Sequence, residues 1–472
     1  MAPCETGILN KAELMKLSGN IALLFLCLAG LTLPVSCAAQ RAPAPADDSA
    51  SPGPGRCAEE LAVKILDNPD LPFVLDKAKS IISKGLTAGS GYGEVWIRDL
   101  NTFIEIALDV QDQAELRRAL LVFFHFQGQD GNVIDGYIPA EKANVAYKYI
   151  HCETMPNLRG HKNTVETDQE SSLVQAIYKY VEKTGDDSIL SEEVNGISAR
   201  ERLAMALRYL MEHRYSKEYG LIWGATTVDW GDVQPEHSWG VELDDSSHRA
   251  IDIYDNAMFV IAIENYLSLP ASDASDKGEW KPVAKRIKAN TRKHLWDEDL
   301  HKFRPHIYLE GSPFPEDFDE HRIYYHGGTA AAIEAGILSK PEIMRVFNDM
   351  VNNKKFAGAA SIGLTVYPTY PAGFFKNKAM RPFSYQNGGD WTWFGGRMIQ
   401  QLIAHGYVEQ AYQECLPMFE RVRENDGFFE WYTVDNKPSG SGTFRGSAGV
   451  LGKAVQMFHK WAKEQLNENE TS

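Results

Sequence analysis

Twelve segments of this chain carry apolar residues at spacings of three and four, and little strand-like alternation separates them. They span 71–84, 102–110, 114–127, 170–184, 199–213, 256–269, 283–295, 329–335, 342–352, 393–405, 408–423 and 448–464. Each such helix must bury one face, and a long succession of them has two main ways to do so. An open solenoid of helix pairs shows itself as a repeating consensus, and no repeat is visible here. A closed toroid of six hairpins, with an inner ring against an outer ring and long loops gathered over a pocket, needs no repeat. The pattern therefore predicts an all-α, (α/α)6 toroid, and the lack of a Pro/Gly-rich break predicts a single domain.

Upstream of that body the sequence changes character. Residues 21–35 are apolar, follow Lys11 and Lys16, and end at Ser36-Cys37, the pattern of a secretory signal. At 15 residues the run is shorter than the ~20 a spanning helix needs. Leu33-Pro34-Val35-Ser36-Cys37 resembles a bacterial lipoprotein box, with Cys37 as the lipidated residue. An Ala-, Pro-, Ser- and Gly-rich stretch follows. The expected organisation is a signal with a lipobox-like end over 1–37, a tether over 38–56, the toroid over 57–466 and a polar tail over 467–472. The expectation is an exported monomer, periplasmic or at the cell surface, held to a bacterial outer membrane only by its lipid.

Charge excludes one class of partner. With 48 Lys and Arg against 64 Asp and Glu, the net charge is −16, and no run exceeds two adjacent cations. Nucleic acid and anionic head groups need clustered cations, so neither is expected as a partner. The six cysteines have no short repeated spacing, which argues against a disulfide framework or zinc ribbon. No cofactor or metal is expected either. The segment holding Glu316, Asp317, Asp319, Glu320, His321 and His326 lacks metal-ligand spacing and reads as a solvated acidic loop.

Seven of the ten tryptophans (Trp96, Trp223, Trp230, Trp239, Trp391, Trp393 and Trp431) fall in loops or helix starts that also hold acids and glycines. Indole faces stack on the apolar faces of sugar rings while carboxylates and amides take the hydroxyls, so the cluster points to a carbohydrate pocket. Five motifs supply its candidates. Trp96-Ile97-Arg98-Asp99 opens a helix, where Asp99 either caps it or binds a sugar. Glu166-Thr167-Asp168 precedes the next helix, with Glu170 placed for a capping box. Between Trp223 and Asp232, Asp229 and Asp232 lie three apart beside Trp230 and glycines, a setting that lets a carboxyl keep its proton as a general acid must. Gln386, Asn387, Trp391 and Trp393 crowd one loop, and Glu430 sits among aromatics beside Trp431.

These motifs, in this order, resemble the bacterial amylo-α-1,6-glucosidase type of glycogen-debranching enzyme. Trp96 to Asp99 resembles its Trp-x-Arg-Asp segment, and Thr167-Asp168 and Trp223 to Asp229 are similar to two further stretches. The run from Gln386 is similar to its Asn-Gly and Trp-Pro-Trp segment, with Thr392 where Pro is frequent, and Glu430 resembles its late glutamate. Trehalases, processing α-glucosidases and neutral invertases share much of the pattern. The resemblance implies an (α/α)6 inverting glycoside hydrolase with Asp229 as general acid and Glu430 as general base. It also implies that Arg98, Asp99 and Asp168 hold the terminal sugar. Val228 stands where a large residue is usual, and Asp232 is a rival acid. With no room for the debranching enzymes' extra sugar-binding domain, the expected substrate is an oligosaccharide, best matched to an α-glucosidic bond cleaved from the chain end. A polysaccharide lyase or phosphorylase on the same toroid, and a non-catalytic glycan-binding lipoprotein, are the alternatives.

Overall fold

The computed structural model describes residues 54–143, 147–238, 241–270 and 272–470. The signal-like segment with Cys37, the tether through residue 53, and Trp239 lie outside the described residues. Thirteen α-helices are found among the described residues: α1 (Pro54–Asp67), α2 (Asp70–Ile82), α3 (Ile97–Val110), α4 (Gln113–Phe126), α5 (Gln169–Thr184), α6 (Ala199–His213), α7 (Ile253–Ser268), α8 (Ala274–His294), α9 (His326–Glu334), α10 (Lys340–Ala357), α11 (Thr392–Ala404), α12 (Val408–Asn425) and α13 (Arg445–Glu470). The last twelve correspond to the twelve apolar segments. α1 starts inside the stretch expected to be tether, because Ala62 and Ile65 give it an apolar face that is buried against α13.

The helices close into two rings. α3 packs on α5, α5 on α7, α7 on α9, α9 on α11 and α11 on α13, and α13 returns to α3. Outside them, α4 and α6 lie against α5, α8 against α7, α10 against α9, α12 against α11, and α2 against α13 and α3. This is the (α/α)6 toroid the periodicity predicts. Burial sorts the rings: α7 buries 12 of its 16 residues, as a helix covered on all sides must, whereas α8 buries only Trp280, Ala284, Ile287 and Thr291 along one stripe of 21. Close approach in the inner ring depends on small residues. A Cβ on Gly327 of α9 would run into the Phe394 ring of α11.

Short strands and loops precede the inner helices and build one end of the toroid. Val95–Trp96, Gly136–Pro139 and Leu158–His161 form an antiparallel sheet that pairs Trp96 with Gly136 and Gly136 with His161. A Cβ on Gly136 would collide with the Trp96 ring. Glycine there lets the indole lie across the sheet, edge-on to His161 at 5.9 Å. A second sheet joins Gly224–Ala225, Arg249–Ile251 and Ile307–Tyr308.

Candidate active site

A cavity of about 220 Å³ opens at the end where α3, α5, α11 and α13 begin. Its base is an ion-paired arginine. Arg98, in the first turn of α3, donates from Nε to Asp168 Oδ2 at 2.6 Å and from Nη2 to Asp168 Oδ1 at 2.9 Å, and pairs with Glu166 as well. The Tyr254 hydroxyl adds a third donor to Asp168 at 3.1 Å. The guanidinium faces the Trp230 ring, 5.0 Å from its centre. Arg98 and Glu166 line the cavity, while Asp168 is fully buried behind the arginine and does not. Asp168 therefore holds Arg98 in place of the sugar that the resemblance assigned to it. The capping box does not form: Asp168 occupies the N-cap of α5 without a side-chain cap bond, and Glu170 instead takes the Val133 N–H and Lys162, each at 2.9 Å.

The walls are aromatic, with Trp96, Trp230, Trp391, Tyr147 and Tyr385 all facing the space. Tyr147 stacks on His161 at 3.9 Å, and burial pushes the His161 imidazole down to about 4, so it is uncharged at neutral pH. Trp393 does not line the cavity. It supports Trp230 from behind at 5.3 Å and gives its Nε1 to Thr102 at 3.1 Å. Trp431 also lies outside the lining, packed edge-on to Tyr385 at 6.4 Å.

Among the described residues, five carboxyl groups face the cavity: Asp99, Asp135, Glu166, Asp232 and Glu430. Burial pushes Asp99 up to about 7 despite the opposing charge of Arg98, and it pushes Asp135 to about 7 as well. Glu430 is 5% exposed. It accepts from the Tyr92 hydroxyl at 3.0 Å and the Ser441 N–H at 3.1 Å. Burial raises its pKa, those two donors oppose the rise, and the charge of Asp232 adds to it. Gly440, at φ +70°, packs directly on this carboxylate, and a Cβ there would lie 2.5 Å from Glu430 Oε2. Gly440→Ala is therefore expected to displace Glu430 and cut turnover at least about tenfold, with a stability cost of about 1–2 kcal/mol for the left-handed alanine. Steady-state kinetics beside a urea titration would check both.

The two carboxylates of the Trp223–Asp232 stretch part company. Asp232 is half-buried, lines the cavity and accepts from Gln386 Nε2 at 2.8 Å. Asp229 is 1% exposed and does not line it. The Asp229 backbone, at φ 55°, turns the side chain onto the first turn of α9, where it accepts the Gly327 N–H at 2.6 Å and the Gly328 N–H at 2.7 Å. Burial pushes it up to about 7. The carboxylate of Asp229, expected first as the acid, is thus tied to a helix N-terminus, and Asp232 is the one of the two that faces the cavity.

Gln386 reaches the site only through Asp232. Asn387 is a buried brace, accepting from Tyr370 N–H at 2.8 Å and donating to the carbonyls of Tyr370 and Met380, each at 3.0 Å. The sequence reading missed Tyr92, Asp135, Tyr147, His161 and Asn163, all from loops or strands that carry no Trp-and-acid signature. The acidic loop also differs from expectation. Glu320 is not solvated: it accepts from Tyr308 at 2.6 Å and Tyr370 at 2.7 Å and pairs with His306 at 2.9 Å, and His326 is buried at the start of α9.

No family model and no curated relative matches the sequence. Solved structures do match. A GH63 mannosylglycerate hydrolase from Thermus thermophilus, in complex with Tris and D-glycerate, superposes with a TM-score of 0.58 at 15% identity, over 80% of this chain and 99% of that one. A rhamnosidase from Klebsiella oxytoca with rhamnose bound gives 0.55 at 13% identity over 83% of this chain, which spans 64% of that enzyme's length. A GH78 rhamnosidase from Bacillus sp. GL1 gives 0.51 at 13% identity over 80% of this chain, with 34% of its own length spanned. The resemblance read from the motifs therefore holds at the level of fold: this chain is built on the (α/α)6 toroid that these hydrolases and rhamnosidases share.

Proposed function

We propose that the protein is an inverting glycoside hydrolase that removes a terminal sugar from short glycosides, with the α-glucosidic bond as the first candidate. The observation that carries this reading is that Asp232 and Glu430, brought from loops 198 positions apart in sequence, line one aromatic-walled cavity. In this mechanism Asp232 gives its proton to the glycosidic oxygen as the bond to the anomeric carbon breaks. Glu430 takes a proton from the water that attacks the opposite face. Tyr92 and the Ser441 N–H favour the ionised form of Glu430 that a base requires. A cavity of about 220 Å³ suits one sugar ring, and Asp99, Asp135 and Arg98 offer partners for its hydroxyls. The toroid shared with a mannosylglycerate hydrolase and two rhamnosidases supports the same class of reaction.

Glu430→Gln should lower kcat at least about 10³-fold while sugar binding, followed by calorimetry, persists. NMR of the first product released by the native protein should show the inverted anomer. Retained turnover in the variant, or retention of configuration, would end this assignment. We also propose export and lipid attachment at Cys37. Cys37→Ala should abolish incorporation of a labelled fatty acid and release the protein from membranes, and unchanged labelling would refute the anchor.

A further inference from the structure

A second cavity, of about 50 Å³, adjoins the first. The two share Asp232, Val241 and Tyr385, so the Asp232 carboxylate stands where one space passes into the other. An acid that protonates a glycosidic oxygen belongs at that boundary, between the sugar that is held and the alcohol that leaves. Glu430 lines only the larger space, so the sugar occupies that one and the departing group the smaller.

The lining of the smaller cavity states what it can accept. Gln234 is committed elsewhere, donating to the Glu242 carbonyl at 2.9 Å and accepting from Ser247 at 2.5 Å. Three groups retain capacity. His237 gives Nε2 to Asp244 at 3.2 Å and keeps Nδ1. Asn377 uses Oδ1 on the Ala379 N–H at 2.9 Å and keeps its amide N–H groups. The Tyr385 hydroxyl makes no hydrogen bond to the described residues. An imidazole nitrogen, an amide and a phenol are partners for hydroxyls. No Lys or Arg among the described residues lines this space, and any charge on His237 is already answered by Asp244. A carboxylate here would leave water without a cation to receive it. At about 50 Å³ against about 220 Å³ for the larger cavity, this space fits a short chain of hydroxyls better than a second sugar ring.

We propose that this cavity is the leaving-group site and that it selects a short, uncharged polyol, with His237, Asn377 and Tyr385 as the residues that set the preference. The proposal rests on Asp232 being the acid. When the bond breaks, the polyol departs as a neutral alcohol carrying the proton from Asp232, and water supplies the hydroxyl to the sugar.

The test compares kcat/KM of the full chain on glycosides that share a sugar and differ in leaving group: glucosylglycerol, glucosylglycerate and maltose, with the mannosyl and rhamnosyl counterparts. The glycerol form of the accepted sugar should exceed the glycerate and disaccharide forms by tenfold or more. His237→Lys should narrow or reverse the glycerol-over-glycerate ratio. Equal or faster cleavage of the glycerate or disaccharide form by the native protein would overturn the proposal. So would turnover of the glycosyl fluorides with none of the three leaving groups accepted, although the hydrolase reading would then stand. No turnover of any glycoside or fluoride would bring down both.

Discussion

Asp232→Asn should lower kcat on ordinary glycosides by about 10²–10⁴-fold, the usual contribution of a positioned general acid. The fold should survive, since the asparagine oxygen still accepts from Gln386 and the position is only half-buried. A glycosyl fluoride of the accepted sugar needs no proton on its leaving group. The variant should therefore hydrolyse it within a few-fold of the native rate, an outcome a merely structural defect would not produce. Asp229→Asn should show the opposite signature. One of the two acceptors that hold the Gly327 and Gly328 N–H groups becomes an amide, costing about 1–3 kcal/mol of stability with little effect on kcat.

The pH dependence of that stability loss follows from the same carboxyl. Burial raises Asp229 from 3.8 to about 7, so its favourable contribution is complete below about pH 4 and fades as pH rises through 7. The stability gap between the native protein and Asp229→Asn, measured by urea unfolding, should therefore narrow between pH 4 and pH 8. A gap that widens over that range would mean the carboxylate is held ionised. A variant inactive at Asp229 but active at Asp232 would return the acid role to Asp229.

The second large effect concerns Arg98. Arg98→Met removes the partner of two carboxylates that are 5% and 0% exposed, Glu166 and Asp168, and should destabilise the protein by about 3–5 kcal/mol. Arg98→Lys keeps a charge but loses the two-pronged geometry, so an intermediate cost is expected. Denaturant midpoints would separate the three proteins. Native-like stability of the methionine form would show that Asp168 and Glu166 do not depend on the guanidinium.

Twelve of the thirteen described helices were legible because each carries apolar residues at spacings of three and four, while ring membership shows in burial, with twelve of sixteen residues buried in α7 and one stripe in α8. α1 was not, since Pro54 and Gly55 begin it within a tether-like composition. In the site, Trp96, Arg98, Asp99, Trp230, Asp232, Trp391 and Glu430 stood out as charged and aromatic residues in loops and helix starts, and all seven line the cavity. Trp393 and Trp431 carried the same signature, but aromatics that support a wall look in sequence like those that form it. Asp135, His161 and Asn163 arrive by strand and loop, and no local pattern distinguishes such residues from ordinary surface.

By itself the sequence determined that the chain folds as paired helical rings and that acids and aromatics gather in the loops and helix starts between them. Both follow from composition and period, which act locally. Only the tertiary structure decided which acid of the Asp229 and Asp232 pair faces the cavity. The two lie three residues apart, and the difference is a left-handed backbone at Asp229 together with two N–H groups offered by α9, 98 and 99 positions away. A buried carboxylate goes to the donors that a distant helix end presents, and its neighbour is left facing the cavity.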